Sequence, residues 1–268
     1  MPDPVDLYDN VYGDFDSRAE TEVRTRAFGD DIGQSSWITA AEWLRFADQA
    51  AVGAHSRVLE VGSGSGGPAV YLAAARGCHV TGVDINEHGV RNAARLAAAR
   101  GVSERVSFDV ADAGQPLPFA SSSFDAVLSN DAMCHIPDRL EVLTEWHRVL
   151  RPGGRMLFTD AMIVTGLVSQ EELAVRSSIG RYFFAPPGEN ERLIRGAGFE
   201  LLVSEDVTAS AEAIARRWHA AREQYRAQLQ TREGEANFDG LQRFLACVHR
   251  LSAERRLSRY AYLAEKPA

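Results

Sequence analysis

Polar positions dominate the first 36 residues, broken by aromatics at Tyr8, Tyr12, Phe15 and Phe28. The stretch SSWITAAEWLRFADQAA then sets Trp37, Ala40, Ala41, Leu44 and Ala47 at helical spacing behind a serine N-cap, Ser35 or Ser36. From residue 56 the period switches repeatedly. Short apolar runs predict strands at 57–61, 79–84, 105–112, 124–131 and 155–161, and amphipathic stretches predict helices at 67–77, 87–101 and 139–150. The RPGG run at 151–154 predicts a turn. Strands that alternate with helices over short connections imply a parallel sheet with helices on both faces. Ligands of such sheets sit beyond the C-terminal ends of the strands, where Asp84, Asp112, Asp131 and Asp160 all fall.

After residue 161 the rhythm changes. A helix is predicted at 189–198, a strand at 199–207, helices at 209–231 and 238–252, and a last strand at 257–265. The segment 208–256 is too long for a plain loop and reads as a helical cap over the crevice. The expected fold is therefore α/β, a doubly wound seven-stranded mostly parallel sheet with a helical cap. It divides into an N-terminal helical lid segment (1–55), a core (56–161) and a substrate-side part (162–268).

Composition narrows the function classes. A net charge of −8 opposes sequence-independent nucleic-acid binding, which relies on a basic footprint. No apolar run approaches the length of a membrane span, and the acidic start MPDPVDLYDN has no signal-peptide core. Cys78, Cys134 and Cys247 are odd in number and far apart, which fits a reducing compartment rather than a disulfide framework. The expectation is a cytoplasmic protein, monomer or homodimer, that acts on a small molecule and needs neither nucleic acid nor membrane.

The candidate chemistry starts at VLEVGSGSGG, residues 58–67. Gly62, Gly64 and Gly67 satisfy the dinucleotide fingerprint G-x-G-x-x-G. Glu60 with Gly62, Gly64 and Gly66 equally satisfies an acid-plus-glycines turn. An acid directly before the loop would oppose an anionic pyrophosphate, and burying it is expensive unless it finds a partner. Asp84, at the end of the second strand, can accept both hydroxyls of a ribose under either reading.

LEVGSGSGG, VTGVDIN, FDVADA, LPFASSSFDAVLSNDAMCHI and RVLRPGGRMLFTD, in this order from about residue 56, resemble the class I S-adenosylmethionine (SAM)-dependent methyltransferases, with a Rossmann-like core. SNDAMCHIPDR followed by RVLRPGGRMLFTD is most similar to the phosphoethanolamine and the glycine/sarcosine/dimethylglycine N-methyltransferases. The resemblance implies SAM as cofactor and S-adenosylhomocysteine as its product. Glu60, Gly62, Gly64 and Gly66 would hold the methionyl end, Asp84 and Ile85 the ribose side, and Asp112 and Ala113 the adenine, with Asn130 beside them. FGDDIGQSSW is similar to the segment that closes over SAM in those N-methyltransferases, which makes Gln34, Ser35 and Trp37 candidates.

At the acceptor end the resemblance implies that His135 matches the histidine of the phosphoethanolamine enzymes' pattern D-A-x-x-H and Asp131 its acid; imidazole titrates near neutrality, as proton removal requires. Tyr12 could reach the same place from the N-terminal lid. Asp131 and Asp160 could face a divalent ion, but Ala161 stands where catechol-type enzymes place a further ligand, so no metal is expected. The expected reaction is methyl transfer to an amine nitrogen. The alternatives are an O- or C-methyltransferase of a secondary metabolite or isoprenoid and, from other classes, an NAD-dependent oxidoreductase or a non-catalytic SAM-binding protein.

Overall fold

The computed structural model describes residues 17–268; Tyr8 and Tyr12 lie outside them. Among the described residues the strands are β1 (Arg57–Val61), β2 (His79–Asp84), β3 (Val106–Val110), β4 (Phe124–Asn130), β5 (Leu150–Val164), β6 (Glu200–Asp206) and β7 (Leu257–Glu265). They form one sheet in the order β3-β2-β1-β4-β5-β7-β6, parallel except that β7 runs antiparallel to both its neighbours. The chain winds outward from β1 to β3 and returns to β4 beside β1. That reversal opens a crevice beyond the C-terminal ends of β1 and β4.

The helices are α1 (Arg18–Phe28), α2 (Ala40–Gln49), α3 (Gly67–Arg76), α4 (Glu87–Ala99), α5 (Arg139–Val149), α6 (Gln170–Arg176), α7 (Glu189–Gly196), α8 (Thr208–Gln224), α9 (Arg226–Glu233) and α10 (Glu235–Ala253). One face of the sheet is covered by α2, α3 and α4, whose Trp43, Phe46, Leu72 and Ala97 pack on Val58, Val80 and Leu128. The other face takes α5 and α7, whose Trp146 and Ile194 pack with Leu59, Val61 and Phe158. Successive β1 residues thus feed opposite cores, which is why that strand reads as a continuous apolar run. Glu60 interrupts it, buried at 2% exposure.

Several local expectations are corrected. The helix expected to start at Ser35 or Ser36 is capped by Thr39, whose hydroxyl accepts from Glu42 N at 3.2 Å, and Trp37 points into the cap instead. The RPGG turn is the start of β5, with Gly153 at φ +73° and a break in the β4 register between Phe124 and Ala126: a bulge rather than a turn. The long helix expected at 209–231 breaks at Tyr225 into α8 and α9. The polar N-terminal stretch contains α1, capped by Ser17. Val23, Ala27 and Phe28 of α1 pack with Ala211, Ile214 and Trp218 of α8 and with Phe238, Leu241 and Phe244 of α10. Cap and N-terminal segment therefore share a single apolar core.

Candidate active site

The crevice holds a cavity of about 440 Å³. Its floor is the β1–α3 turn. Gly62 (φ +73°) and Gly64 (φ +53°) take the left-handed backbone that side chains disfavour. A Cβ on Gly62 would lie 2.3 Å from Ala132 Cβ, so the turn closes against the chain leaving β4 only without one. Gly64 N donates to Asp84 Oδ2 at 2.8 Å, which ties the turn to the end of β2. Gly66 (φ +78°) does not line the cavity: a Cβ there would strike Ala93 and Phe108, so it serves helix packing. Gly67, the first residue of α3, packs directly under the backbone of Ile32 and Gly33, where a Cβ would sit 2.3 Å from Ile32 O.

Glu60, Ser63 and Ser65 also line this floor, and Glu60 Oε2, Ser63 Oγ and Ser65 Oγ are buried without a hydrogen-bond partner among the described residues. Burial, assisted by the Asp84 charge, pushes the Glu60 carboxyl up to about 8. A floor of backbone amides, hydroxyls and one desolvated acid suits a zwitterionic amino-acid tail and would oppose a pyrophosphate. Asp84 Oδ1 accepts from Asn86 N at 2.8 Å. With one amide on each oxygen, the carboxylate keeps lone pairs for a diol. Ile85, 68% exposed, lines the cavity with Ala113 and Ile136, apolar side chains suited to a flat base, and so does Asp112, its Oδ1 held by Gly114 N at 2.9 Å.

The opposite end is bounded by Ser35, Ser36, Asn130, Asp131 and His135. The turn of Met133–His135 presents the histidine, whose Nδ1 bonds the Arg181 carbonyl at 2.9 Å. A carbonyl can only accept, so Nδ1 carries the proton and Nε2 is the basic nitrogen. The ring lies 4.4 Å from that of Tyr182, and burial pulls its pKa below the ordinary histidine value.

Asp131, expected near the acceptor, lines both this end and the neighbouring chamber and is heavily hydrogen-bonded there. It sits at φ +54°, and its carboxylate accepts from Arg259 Nε at 2.9 and 3.1 Å, from Trp37 N at 3.1 Å and from Thr159 Oγ1 at 2.9 Å. Arg259, fully enclosed on β7, also donates to Glu42 and Ser210 through Nη1 and to Asn130 and Thr159 through Nη2. Asn130 in turn donates to Ser36 Oγ. This network pins the 35–37 segment across the end of β4. Gln34 and Trp37 do not line the cavity: the Gln34 amide braces its own loop through Ile32 N and Asp30 O, and Trp37 packs in the cap. Asp160 leaves the crevice altogether and pairs with Arg139 at 2.7 Å and Asn190 at 3.0 Å. Arg259, Arg139 and Ile136 carry no local sequence pattern that marks them, and Ser36 reads in sequence only as a helix cap.

Past His135, Ser35, Ser36 and Asp131 a second chamber of about 30 Å³ opens beneath the cap, walled by Trp37, Tyr182, Trp218, Phe244 and Arg176.

A doubly wound sheet with this lining at its switch point is that of a protein built around a nucleoside-bearing cofactor. Residues 59–158 match the family model described as a methyltransferase domain. The chain is 32% identical to the methyltransferase GfsG of Streptomyces halstedii, over 76% of this chain and 77% of that protein. It is 35% identical to the 27-O-demethylrifamycin SV methyltransferase of Amycolatopsis mediterranei strain S699, over 67% and 68%. Its fold matches the phosphoethanolamine N-methyltransferase 2 of Haemonchus contortus, solved with phosphomonomethylethanolamine and S-adenosylhomocysteine, at a TM-score of 0.81 and 23% identity over 97% and 60% of the two chains. The chain belongs to the SAM-dependent methyltransferases, and SAM is its cofactor. Other relatives methylate at nitrogen and at carbon, so membership leaves the acceptor atom open. Among the described residues no helix is long and apolar enough to cross a membrane.

Proposed function

We propose that this enzyme methylates a small molecule at an atom that arrives carrying a proton, a hydroxyl oxygen or an amine nitrogen, and that His135 removes that proton. The observation that carries this reading is the place of His135, which borders both the cofactor cavity and the aromatic chamber with its Nδ1 anchored on Arg181 O. SAM, when bound, supplies an electrophilic methyl group. The acceptor's lone pair takes that methyl, and the proton passes to His135 Nε2. Much of the remaining rate comes from alignment in a dry chamber.

Glu60, Gly62, Gly64, Asp84, Ile85, Asp112 and Ala113 hold the cofactor in this proposal, and Ser35 and Asn130 close its acceptor end. Asp131 is a positioning residue that acts through Arg259. Oxygen is favoured over the amine nitrogen expected from sequence. The rifamycin relative is matched over two thirds of both chains, whereas this chain spans 31% of the glycine/sarcosine/dimethylglycine enzyme of Actinopolyspora halophila. We place the enzyme in the cytoplasm as a monomer or homodimer, supported by three buried cysteines without disulfides. The segments 1–55, 56–161 and 162–268 are its lid, cofactor core and acceptor side.

The test is a panel of hydroxyl and amine acceptors with His135→Asn. The variant should keep S-adenosylhomocysteine affinity and lose about 10²–10⁴-fold in kcat. Wild-type kcat/KM should fall only below the ordinary histidine range, because the lowered pKa keeps the base unprotonated to more acidic pH. An unchanged kcat in the variant removes the base from the reaction.

A further inference from the structure

A cation with unmet donors is buried in the small chamber. Arg176, the last residue of α6, is 2% exposed, and its Nε and Nη1 reach no hydrogen-bond acceptor among the described residues. Its guanidinium lies 4.9 Å from the ring of Tyr182, 5.0 Å from Phe244 and 5.9 Å from Trp37. Those ring faces offset part of the cost of burying the charge, but they accept no conventional hydrogen bond. An arginine cannot escape by neutralising, since it keeps its proton in proteins. The carboxylate of the chamber wall, Asp131, is already engaged by Arg259, Thr159 and the backbone of Trp37.

A second donor belongs to the same chamber. Trp218 lines it, and its Nε1 is buried without an acceptor among the described residues. Buried polar groups are normally satisfied, so a small chamber with two unmet donor residues and, among the described residues, no uncommitted carboxylate is built for an acceptor-bearing ligand. Arg176 also sits where a ligand would hold it in line with the chemistry, because Ser35, Ser36, Asp131 and His135 border both this chamber and the cofactor cavity.

We propose that Arg176, with Trp218, binds a carboxylate carried by the methyl acceptor, so that the substrate is a small organic acid whose nucleophilic atom reaches back to His135. The planar guanidinium fork matches two carboxylate oxygens, and about 30 Å³ has room for that group and little more. This assignment rests on the reading of the chamber as the acceptor's seat.

The experiment uses the full chain saturated with S-adenosylhomocysteine. Tryptophan fluorescence follows titrations with acetate, acetamide and methyl phosphate at constant ionic strength. Acetate should saturate at a concentration about tenfold or more below acetamide, and methyl phosphate should not surpass it. Arg176→Gln should weaken acetate by about tenfold or more with S-adenosylhomocysteine affinity within about twofold. Trp218→Phe, which keeps a ring but removes the N–H, should weaken acetate by a few-fold and keeps the test open if Arg176→Gln does not fold. Acetate binding no tighter than acetamide, equal in Arg176→Gln, or weaker than methyl phosphate overturns the assignment. Failure of S-adenosylhomocysteine to bind the wild type would instead strike the cofactor site, so the two failures are separable.

Discussion

Glu60 places a buried acid on the cavity floor with no cation paired to it among the described residues. Its folded-state pKa of about 8, against an ordinary 4.5, means that the folded protein keeps a proton which the unfolded chain has released between those values. The resulting stabilisation is full below pH 4.5 and is lost as pH rises through 8, a difference on the order of 5 kcal/mol. Glu60→Gln should flatten the fall in stability across that window, as seen by urea unfolding at pH 5 and pH 8. A bound cationic tail favours the carboxylate, so cofactor binding near pH 7 should release a proton, measurable by calorimetry in buffers of different ionisation enthalpy. Gly62 shows a steric demand of the same turn. Gly62→Ala faces both the positive φ, costing about 1–2 kcal/mol, and the Ala132 contact. Cofactor affinity should fall about tenfold or more, and adding Ala132→Gly should restore only part of it by calorimetric titration.

Elements with a regular period were legible; those held by distant partners were not. β1, β2 and β4 announce themselves because both faces are buried, and Glu60, Asp84 and Asp112 fall at strand ends or just beyond them, where motif and topology coincide. α1 was hidden because only Val23, Arg24, Ala27 and Phe28 of its residues are buried, against helices nearly two hundred residues away. Arg217 of α8 donates to Ala27 O at 2.7 Å near the C-terminal end of α1, where a cation also complements the helix dipole. Arg217→Ala should therefore raise amide exchange in α1 by about 5–30-fold, corresponding to about 1–2 kcal/mol, with little change in the exchange of β1 and β4. Equal exchange in α1 would mean that the apolar contacts alone hold it.

At the scale of the whole molecule, Arg259 joins the last strand to α2, to α8 and to the end of β4. Its partners Asp131 and Glu42 stand 128 and 217 positions away in sequence, and none of the three side chains is more than 11% exposed. Arg259→Met would leave two carboxylates in a poorly solvated site. Stability should drop by about 3–5 kcal/mol in denaturant unfolding, and Asp131→Asn in the same chain should recover part of the loss. The sequence by itself determined the doubly wound sheet, the cofactor and many of the residues that line the crevice, because periodicity and turn chemistry act between near neighbours. Only the tertiary structure decided that Asp131 is held by Arg259, that α1 belongs to the cap, and that Arg176 lies buried beside His135. Those facts depend on which side chains meet across the fold, and the energy of a buried charge is set by those partners rather than by its neighbours along the chain.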